Sequence, residues 1–327
     1  MPTIAITRQI PDAGIKLLKE QKNFKVKISK NNRVLAHEEL KKFVKSADAI
    51  LSLLTDHIDG EVMDAAGKQL KVIANYAVGF DNIDLEAAKQ RGVVVTNTTG
   101  DLVSESVAEH TVALALALAH RIAESDRFTK AERYRGWEPM LLIGTLLYGK
   151  VFGIIGTGRI GASVARRAVG LGMKVLYSDL RRDKILEKDT DALYASKEEL
   201  LRMADVVSLH VPLLPSTRFM IDTPEFALMK KTAFLINTAR GPIVREKALL
   251  RALRTRRIAG AALDVFESEP AIDSDLSDRL ELKTFNNVIL TPHTASATIE
   301  ARQQMSEVAA KNIIAVLSGE PALNPAK

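Results

Sequence analysis

Along most of the chain, short runs of apolar, β-branched residues alternate with segments whose apolar positions recur every three or four residues. The runs predict strands at residues 3–7, 25–28, 49–53, 72–75 and 93–96. The segments between them predict helices near residues 12–21, 37–44, 60–67 and 84–91. Strand and helix in strict alternation imply a parallel sheet with helices on both faces. Five strands are enough for one such domain. Residues 104–120, SESVAEHTVALALALAH, then predict one long helix, with Ser104 as its N-cap and Val107 at the capping-box partner position. This helix is apolar nearly all round, so it should be buried. A subunit interface is one place to bury it.

A second alternating series follows, with strands at 151–155, 174–178, 206–210, 233–237, 260–263 and 287–290, and a closing helix at 298–317. The fold class is therefore α/β, with two doubly wound parallel sheets. Two such domains leave a cleft, and clefts at domain interfaces take small ligands.

Composition changes this picture little. With 46% apolar and 26% charged residues in 327, the chain has an ordinary globular make-up. The net charge of +6 is spread over short basic runs such as Arg181–Arg182 and residues 254–257, not a block, which argues against nucleic-acid binding. The mild excess suits small anionic substrates. There is no cysteine, so disulfides and thiolate catalysis are excluded. The opening MPTIAITRQIP lacks a basic stretch followed by an apolar one, and the apolar run 111–119 is too short to span a bilayer. These readings give a cytoplasmic protein with no membrane partner.

The chemistry starts at KVFGIIGTGRIGASVARR, from Lys150. Gly156, Thr157, Gly158, Arg159, Ile160 and Gly161 match G-x-G-x-x-G between a predicted strand and a predicted helix, the setting that a dinucleotide requires. Gly156 permits the tight turn, Gly158 lets a pyrophosphate reach the backbone, and Gly161 lets helix and strand pack closely. The helix N-terminus offers unpaired N–H groups to the phosphates. Asp179 ends the next strand, 18 residues beyond Gly161. An acid there accepts hydrogen bonds from the adenosine ribose and repels a 2′-phosphate, which favours NAD over NADP. Arg181 and Arg182 follow at once and could take that phosphate if the loop bends back, so NADP stays possible.

A dehydrogenase also needs a proton carrier and an anchor for a charged substrate. Of six histidines, His293 in LTPHTASAT and His210 in LHVPLLPST both follow strands, and either could serve. Arg240, in INTARGPIV, could hold a carboxylate with a two-pronged bond. Glu269, in ALDVFESEPA, could orient His293 and favour its cationic form. Asp264 is either a second carboxylate or a strand-end turn residue.

Together these segments resemble the D-2-hydroxyacid dehydrogenase family. The likeness covers essentially the whole chain, through NYAVGFDNIDLEAAKQRGVVVTNT, GIIGTGRIG, INTARGPIV, GAALDVFESEP and NVILTPHTAS in order. It implies a flavodoxin-like substrate domain built from residues 1–100 and 294–327, with a Rossmann NAD(P)-binding domain at 101–293 inserted into it. It implies His293 as general acid/base, Glu269 as its partner, and Arg240 on the substrate. The backbone of Val78 and Gly79 would hold the carboxylate, with Leu53 and Trp137 as further substrate contacts. Trp137 stands where such enzymes carry an aromatic that reaches the partner subunit's active site. The implied cofactor contacts are the glycine turn, Asp179, His210, Val211, Pro212, Thr217, Thr238, Ala239, Arg240, Asp264 and His293. Within the family, ITRQIPDAGIKLL, ANYAVGFDNID and VFESEP look like glyoxylate/hydroxypyruvate reductases. TNTTGDLVSESVAEHT departs from them, and its Ser-Val-Ala-Glu run resembles phosphoglycerate dehydrogenases. Asp179 departs from the NADP-preferring reductases. The implied activity is hydride transfer from NAD(P)H to a short 2-keto acid, glyoxylate or hydroxypyruvate, giving the D-2-hydroxy acid. A homodimer through the 104–120 helix region and no metal are expected. Alternatives are a family member acting on 3-phosphoglycerate, lactate or a sugar acid, and a non-catalytic NAD-sensing binding protein.

Overall fold

The structure is a computed structural model that describes residues 1–269 and 281–326. The chain forms two compact units. One comprises Met1–Val103 with Ala297–Lys327, the other Ser104–Ser296.

The first unit holds a five-stranded parallel sheet of β1 (Thr3–Ile6), β2 (Lys25–Ile28), β3 (Ala49–Leu53), β4 (Val72–Tyr76) and β5 (Val94–Thr96), in the order β2-β1-β3-β4-β5. This is the flavodoxin-like order. β4 is buried along its whole length, as a strand covered on both faces must be. Helices cover the two faces. On one, helix His37–Val44 and helix Gly60–Ala66 close over Ile50 and Ile73. On the other, helix Ile299–Leu317 returns from the far end of the chain and packs on helix Asp12–Glu20. Its Ala301, Met305, Ala309 and Ile313 share one core with Ile4, Ile6 and Leu51. Contact is closest at Gly14, where a Cβ would lie 2.0 Å from the carbonyl oxygen of Ser306. The Ser306 hydroxyl accepts the Gly14 N–H at 2.9 Å and donates to the Pro11 carbonyl at 2.6 Å.

The second unit holds a seven-stranded parallel sheet: β6 (Val151–Ile155), β7 (Lys174–Ser178), β8 (Leu193–Tyr194), β9 (Val206–Leu209), β10 (Phe234–Asn237), β11 (Gly260–Leu263) and β12 (Val288–Leu290). The order is β12-β11-β10-β9-β6-β7-β8, a Rossmann sheet with one further strand at its edge. Pattern reading misses β8, which has only two residues, both exposed, and so carries no apolar signal.

The long helix begins at Asp101, three residues before the expected Ser104, and runs to Ala119. Its first turn is capped from far along the chain: Gln304 Oε1 accepts the Leu102 N–H at 3.1 Å. Ser104 thus lies inside the helix. By length and composition this helix could cross a membrane, but it lies mainly in a protein core, with most of its residues buried. Ala108, Val112, Ala115 and Leu118 pack with Phe152, Ile154 and Val164 of its own unit. Its burial therefore does not require a second chain.

Candidate active site

In an open α/β sheet, ligands bind beyond the carboxyl ends of the strands, where the strand order reverses. In the second unit that point lies between β6 and β9. The glycine turn follows β6. Gly156 has φ +95°, and a Cβ there would lie 2.7 Å from the His210 carbonyl oxygen, just after β9. A Cβ on Gly158 would meet nothing within 4 Å, whereas one on Gly161 would lie 2.0 Å from the Gly156 carbonyl oxygen. The turn is thus closed by its first and third glycines and open at its second, the shape a pyrophosphate needs. Arg159 and Ile160 open the helix Arg159–Gly170 behind it.

Asp179 follows β7. Its Oδ2 accepts the Thr157 N–H at 2.7 Å and the Thr157 hydroxyl at 3.0 Å. Beside it, Thr157, Gly158, Asp179, Arg181, Arg182 and Lys184 line an open groove of about 530 Å³. Arg182 is held by Glu187 through two bonds of 2.9 and 3.1 Å. That leaves Arg182 poorly placed to take a 2′-phosphate.

His210 is half-buried. Burial pushes its imidazole down to about 3, and its Nε2 lies 2.8 Å from the Ser208 hydroxyl. It stays neutral across the physiological range, which removes it as a cationic proton donor. Val211 and the exposed Pro212 follow. Thr217 spends its hydroxyl on its own turn, donating to the Pro212 carbonyl at 2.6 Å and accepting the Leu214 N–H at 2.8 Å.

β10, β11 and β12 deliver the remaining groups. After β10, the Thr238 hydroxyl lies 2.9 Å from that of Thr111, and the Ala239 N–H donates to Asn237 Oδ1 at 3.1 Å. Asn237 Nδ2 also holds the Arg240 carbonyl at 2.9 Å, and Arg240 Nη1 donates to the Ala239 carbonyl at 2.8 Å. The next residue, Gly241, approaches the loop after β11 so closely that a Cβ would lie 1.7 Å from the Phe266 carbonyl oxygen. That loop is also tied to helix Glu246–Arg254. Glu267 Oε2 accepts the Glu246 N–H at 2.9 Å, and Glu246 Oε1 accepts the Glu267 N–H at 2.5 Å. Glu269 ends the described part of this loop, and its Oε2 lies 2.9 Å from His293 Nδ1.

His293 sits beyond β12 with φ +56°, in the left-handed region. Such backbone persists where its surroundings hold it, and it gathers at functional sites. The clamp here is Asp264, which is fully buried. Its Oδ1 accepts from the Thr291 hydroxyl at 2.6 Å and the Thr294 N–H at 2.8 Å, and its Oδ2 accepts the Ala295 N–H at 2.8 Å. Its own carbonyl accepts the His293 N–H at 2.9 Å. His110 Nε2 stands 3.6 Å from Asp264 Oδ1, an ion-pair distance, and 3.2 Å from the Thr291 hydroxyl. Burial opposes the Asp264 charge, but His110, Thr291 and the two N–H groups outweigh it and hold the carboxyl below its ordinary range. Both Asp264 oxygens serve the histidine loop, so this residue shapes the site from beneath.

A folded-state value below the unfolded one stabilises the fold above about pH 4 and is lost as pH falls through the folded value. Asp264→Asn is therefore expected to lower stability by about 1–3 kcal/mol at neutral pH, because an amide N–H₂ would face N–H donors. The deficit should shrink below about pH 4, and urea melts at both pH values would check it. Equal deficits at both would refute the charge argument.

In the first unit, the loops after β1, β3 and β4 are joined by buried side chains. Asn75 Nδ2 donates to the Gly79 carbonyl and to Asn82 Oδ1, each at 2.9 Å. Asn82 Nδ2 reaches the Leu53 carbonyl at 3.1 Å and the Asp56 carbonyl at 2.9 Å. Asp56 Oδ2 accepts the Leu53 N–H at 2.8 Å and the Thr7 hydroxyl at 2.5 Å. Burial raises the Asp56 carboxyl against these bonds. Asn97 Nδ2 holds the Val78 carbonyl at 2.9 Å. With both carbonyls clamped, the N–H groups of Val78 and Gly79 donate to nothing among the described residues. Leu53 is half-buried against the core of this unit. Trp137, by contrast, is 81% exposed. His37, Glu38 and Glu61 bring ligand atoms within 4.8 Å of one another, but the Lys41 ammonium bonds both acids, at 2.6 and 3.0 Å, and fills the place of an ion.

The family model for the D-isomer specific 2-hydroxyacid dehydrogenase NAD binding domain matches residues 112–295, the span that carries the glycine turn and the loops of Arg240, Glu269 and His293. The chain belongs to the D-2-hydroxyacid dehydrogenase family. This dehydrogenase is 45% identical over 323 residues to a glyoxylate reductase of Thermococcus kodakarensis, covering 98% of this chain and 94% of the relative. It is 47% identical over 326 residues to a glyoxylate reductase of Thermofilum pendens, with coverage of 98% and 94%. Among solved structures it resembles the TT0316 protein of Thermus thermophilus, with TM-score 0.91, 40% identity and coverage of 99% and 100%. It also resembles a D-lactate dehydrogenase of Aquifex aeolicus complexed with NAD and lactic acid, with TM-score 0.84, 32% identity and coverage of 97% and 96%. It is an NAD-dependent dehydrogenase of small 2-hydroxy acids.

Proposed function

We propose that the dehydrogenase reduces glyoxylate to the achiral 2-hydroxy acid, glycolate, and hydroxypyruvate to its D-2-hydroxy acid. The observation that carries the chemistry is the pair of His293 and Glu269, 2.9 Å apart. Bound NADH supplies the hydride for the carbonyl carbon. The remaining work falls to side chains and backbone. Glu269 accepts from Nδ1, which fixes the ring and its orientation. His293 Nε2, which has no partner among the described residues, passes its proton to the carbonyl oxygen as that becomes a hydroxyl. Arg240 holds the substrate's carboxylate and carbonyl oxygens, since a guanidinium fork fixes orientation as well as charge. Residues 1–100 and 294–327 act as the substrate domain, where the N–H groups of Val78 and Gly79 bind the carboxylate. In the other domain, residues 101–293, Gly158 would receive the pyrophosphate and Asp179 the ribose, while His210, Val211, Pro212, Thr217, Thr238 and Ala239 would flank the cofactor. The glyoxylate reductases at 45–47% identity support this substrate class over lactate, whose solved relative stands at 32%.

A homodimer is part of this reading. Trp137, Met140, Ile143, Leu146 and Tyr148 are each more than half exposed within one short segment. An apolar patch of that kind marks an interaction surface, and we place the partner there, next to the long helix.

The purified protein should oxidise NADH with glyoxylate and hydroxypyruvate faster than with pyruvate, and faster than it oxidises NADPH, as followed at the nicotinamide absorbance band. Light scattering on the same sample should give twice the 35.8 kDa of one chain. Tight NADH binding without turnover of any 2-keto acid would favour an NAD-sensing binding protein.

A further inference from the structure

The five-stranded sheet has its own reversal of strand order, between β1 and β3. A cation stands at the carboxyl ends of those two strands. Arg8 follows β1, and its Nη2 donates to the hydroxyl of Thr55, just after β3, at 2.9 Å. Its Nε is buried and has no partner among the described residues. The neighbouring acid, Asp56, feels the Arg8 charge, but it turns one oxygen to Thr7 and the Leu53 N–H and makes no hydrogen bond to Arg8. A buried guanidinium N–H without an acceptor destabilises the fold unless water or a ligand supplies one.

We propose that Arg8 is a specificity-determining residue, donating to an oxygen on the substrate carbon beyond the keto group. This rests on the reading that the Val78 and Gly79 N–H groups take the substrate carboxylate. β4 and β1 flank β3, so their ends lie roughly 10 Å apart. A two-carbon acid anchored beyond β4 falls short of Arg8. A third carbon bearing an oxygen, met by a long arginine side chain, closes the gap. Arginine only donates, so the group recognised is an acceptor: a hydroxyl, a carboxylate or a phosphate. The substrate class is accordingly the 3-oxygenated 2-keto acids. In sequence the loop SLLT offers no cation, and the cation comes instead from a residue more than forty positions earlier.

The test compares the wild type with Arg8→Met and Arg8→Lys, using NADH with glyoxylate, hydroxypyruvate and phosphohydroxypyruvate. In Arg8→Met the ratio of kcat/KM for hydroxypyruvate over glyoxylate should fall about tenfold, the worth of one charge-assisted hydrogen bond, mainly through KM. Arg8→Lys should recover part of the loss. A larger fall for phosphohydroxypyruvate than for hydroxypyruvate would identify an anion as the preferred group, and the reverse would identify a hydroxyl. An unchanged ratio, or an equal loss on all three acids, overturns the proposal. If the wild type turns over none of them, the proposed function fails. Calorimetric binding of oxalate and tartronate to the NADH-loaded protein then decides on Arg8 alone, since Arg8→Met should weaken tartronate selectively and an equal effect on both overturns it. NADH titration reports folding, and Arg8→Gln carries the test if Arg8→Met does not fold.

Discussion

His293→Asn is expected to lower kcat about 10²–10⁴-fold, the usual worth of a positioned general acid, while NADH binds as before. Asparagine suits the experiment because it tolerates the left-handed backbone found at this position, φ +56°. The loop should therefore keep its shape, held by Asp264 beneath it. What is lost is the imidazole, and with it the Nε2 proton that is passed to the carbonyl oxygen. Single-turnover absorbance with excess enzyme would isolate the chemical step, and a fluorescence titration would report NADH affinity. A variant with near-normal single-turnover rates would remove His293 from its proposed role. His210 is the poorer proton donor of the two, because burial holds its imidazole neutral near pH 7.

Gly241→Ala is the second large effect. A methyl group at this position would lie 1.7 Å from the Phe266 carbonyl oxygen and 1.9 Å from its carbon. Both are backbone atoms, so no rotamer change relieves the clash. The loop after β10 and the loop after β11 must separate, and those loops carry Arg240 and Glu269. The reciprocal bonds between Glu246 and Glu267 oppose that movement. We expect a loss of about 1–3 kcal/mol in stability, typical of overpacking, together with a fall in kcat/KM larger than the stability loss alone explains. Denaturant melts and steady-state kinetics on the same preparation would test both. Wild-type stability and activity together would show that the two loops are independent.

The parts of this molecule that were legible in sequence are those written locally. Burial on both faces makes a strand such as Val72–Tyr76 read as an unbroken apolar run, and the spacing of Gly156, Gly158 and Gly161 carries its own geometry. Features that depend on distant residues were not legible. Ser104 looks like a helix cap, yet the helix starts at Asp101 because Gln304, more than two hundred positions later, meets its first turn. Asp264 looked like a strand-end turn residue or a second carboxylate. Its work on the His293 loop emerges only when β11 and β12 lie side by side. Arg8 gave no signal, because its partner Thr55 lies across a strand pairing that local pattern does not encode. The helix Asp101–Ala119 was rightly expected to be buried, but its own unit supplies most of the cover.

The close fit of Gly14 against Ser306 bears on how the protein is made. The two residues are 292 positions apart. At a ribosomal rate of about 5–20 residues per second, the first hundred residues wait roughly 10–45 s for helix Ile299–Leu317 to emerge. During that wait Ile4, Ile6 and Leu51 lack part of their core. The later-made unit has all its strands before then. Translation order and the order in which the two cores are completed are therefore opposite, and the nascent N-terminal strands stay incompletely covered until the chain is almost finished.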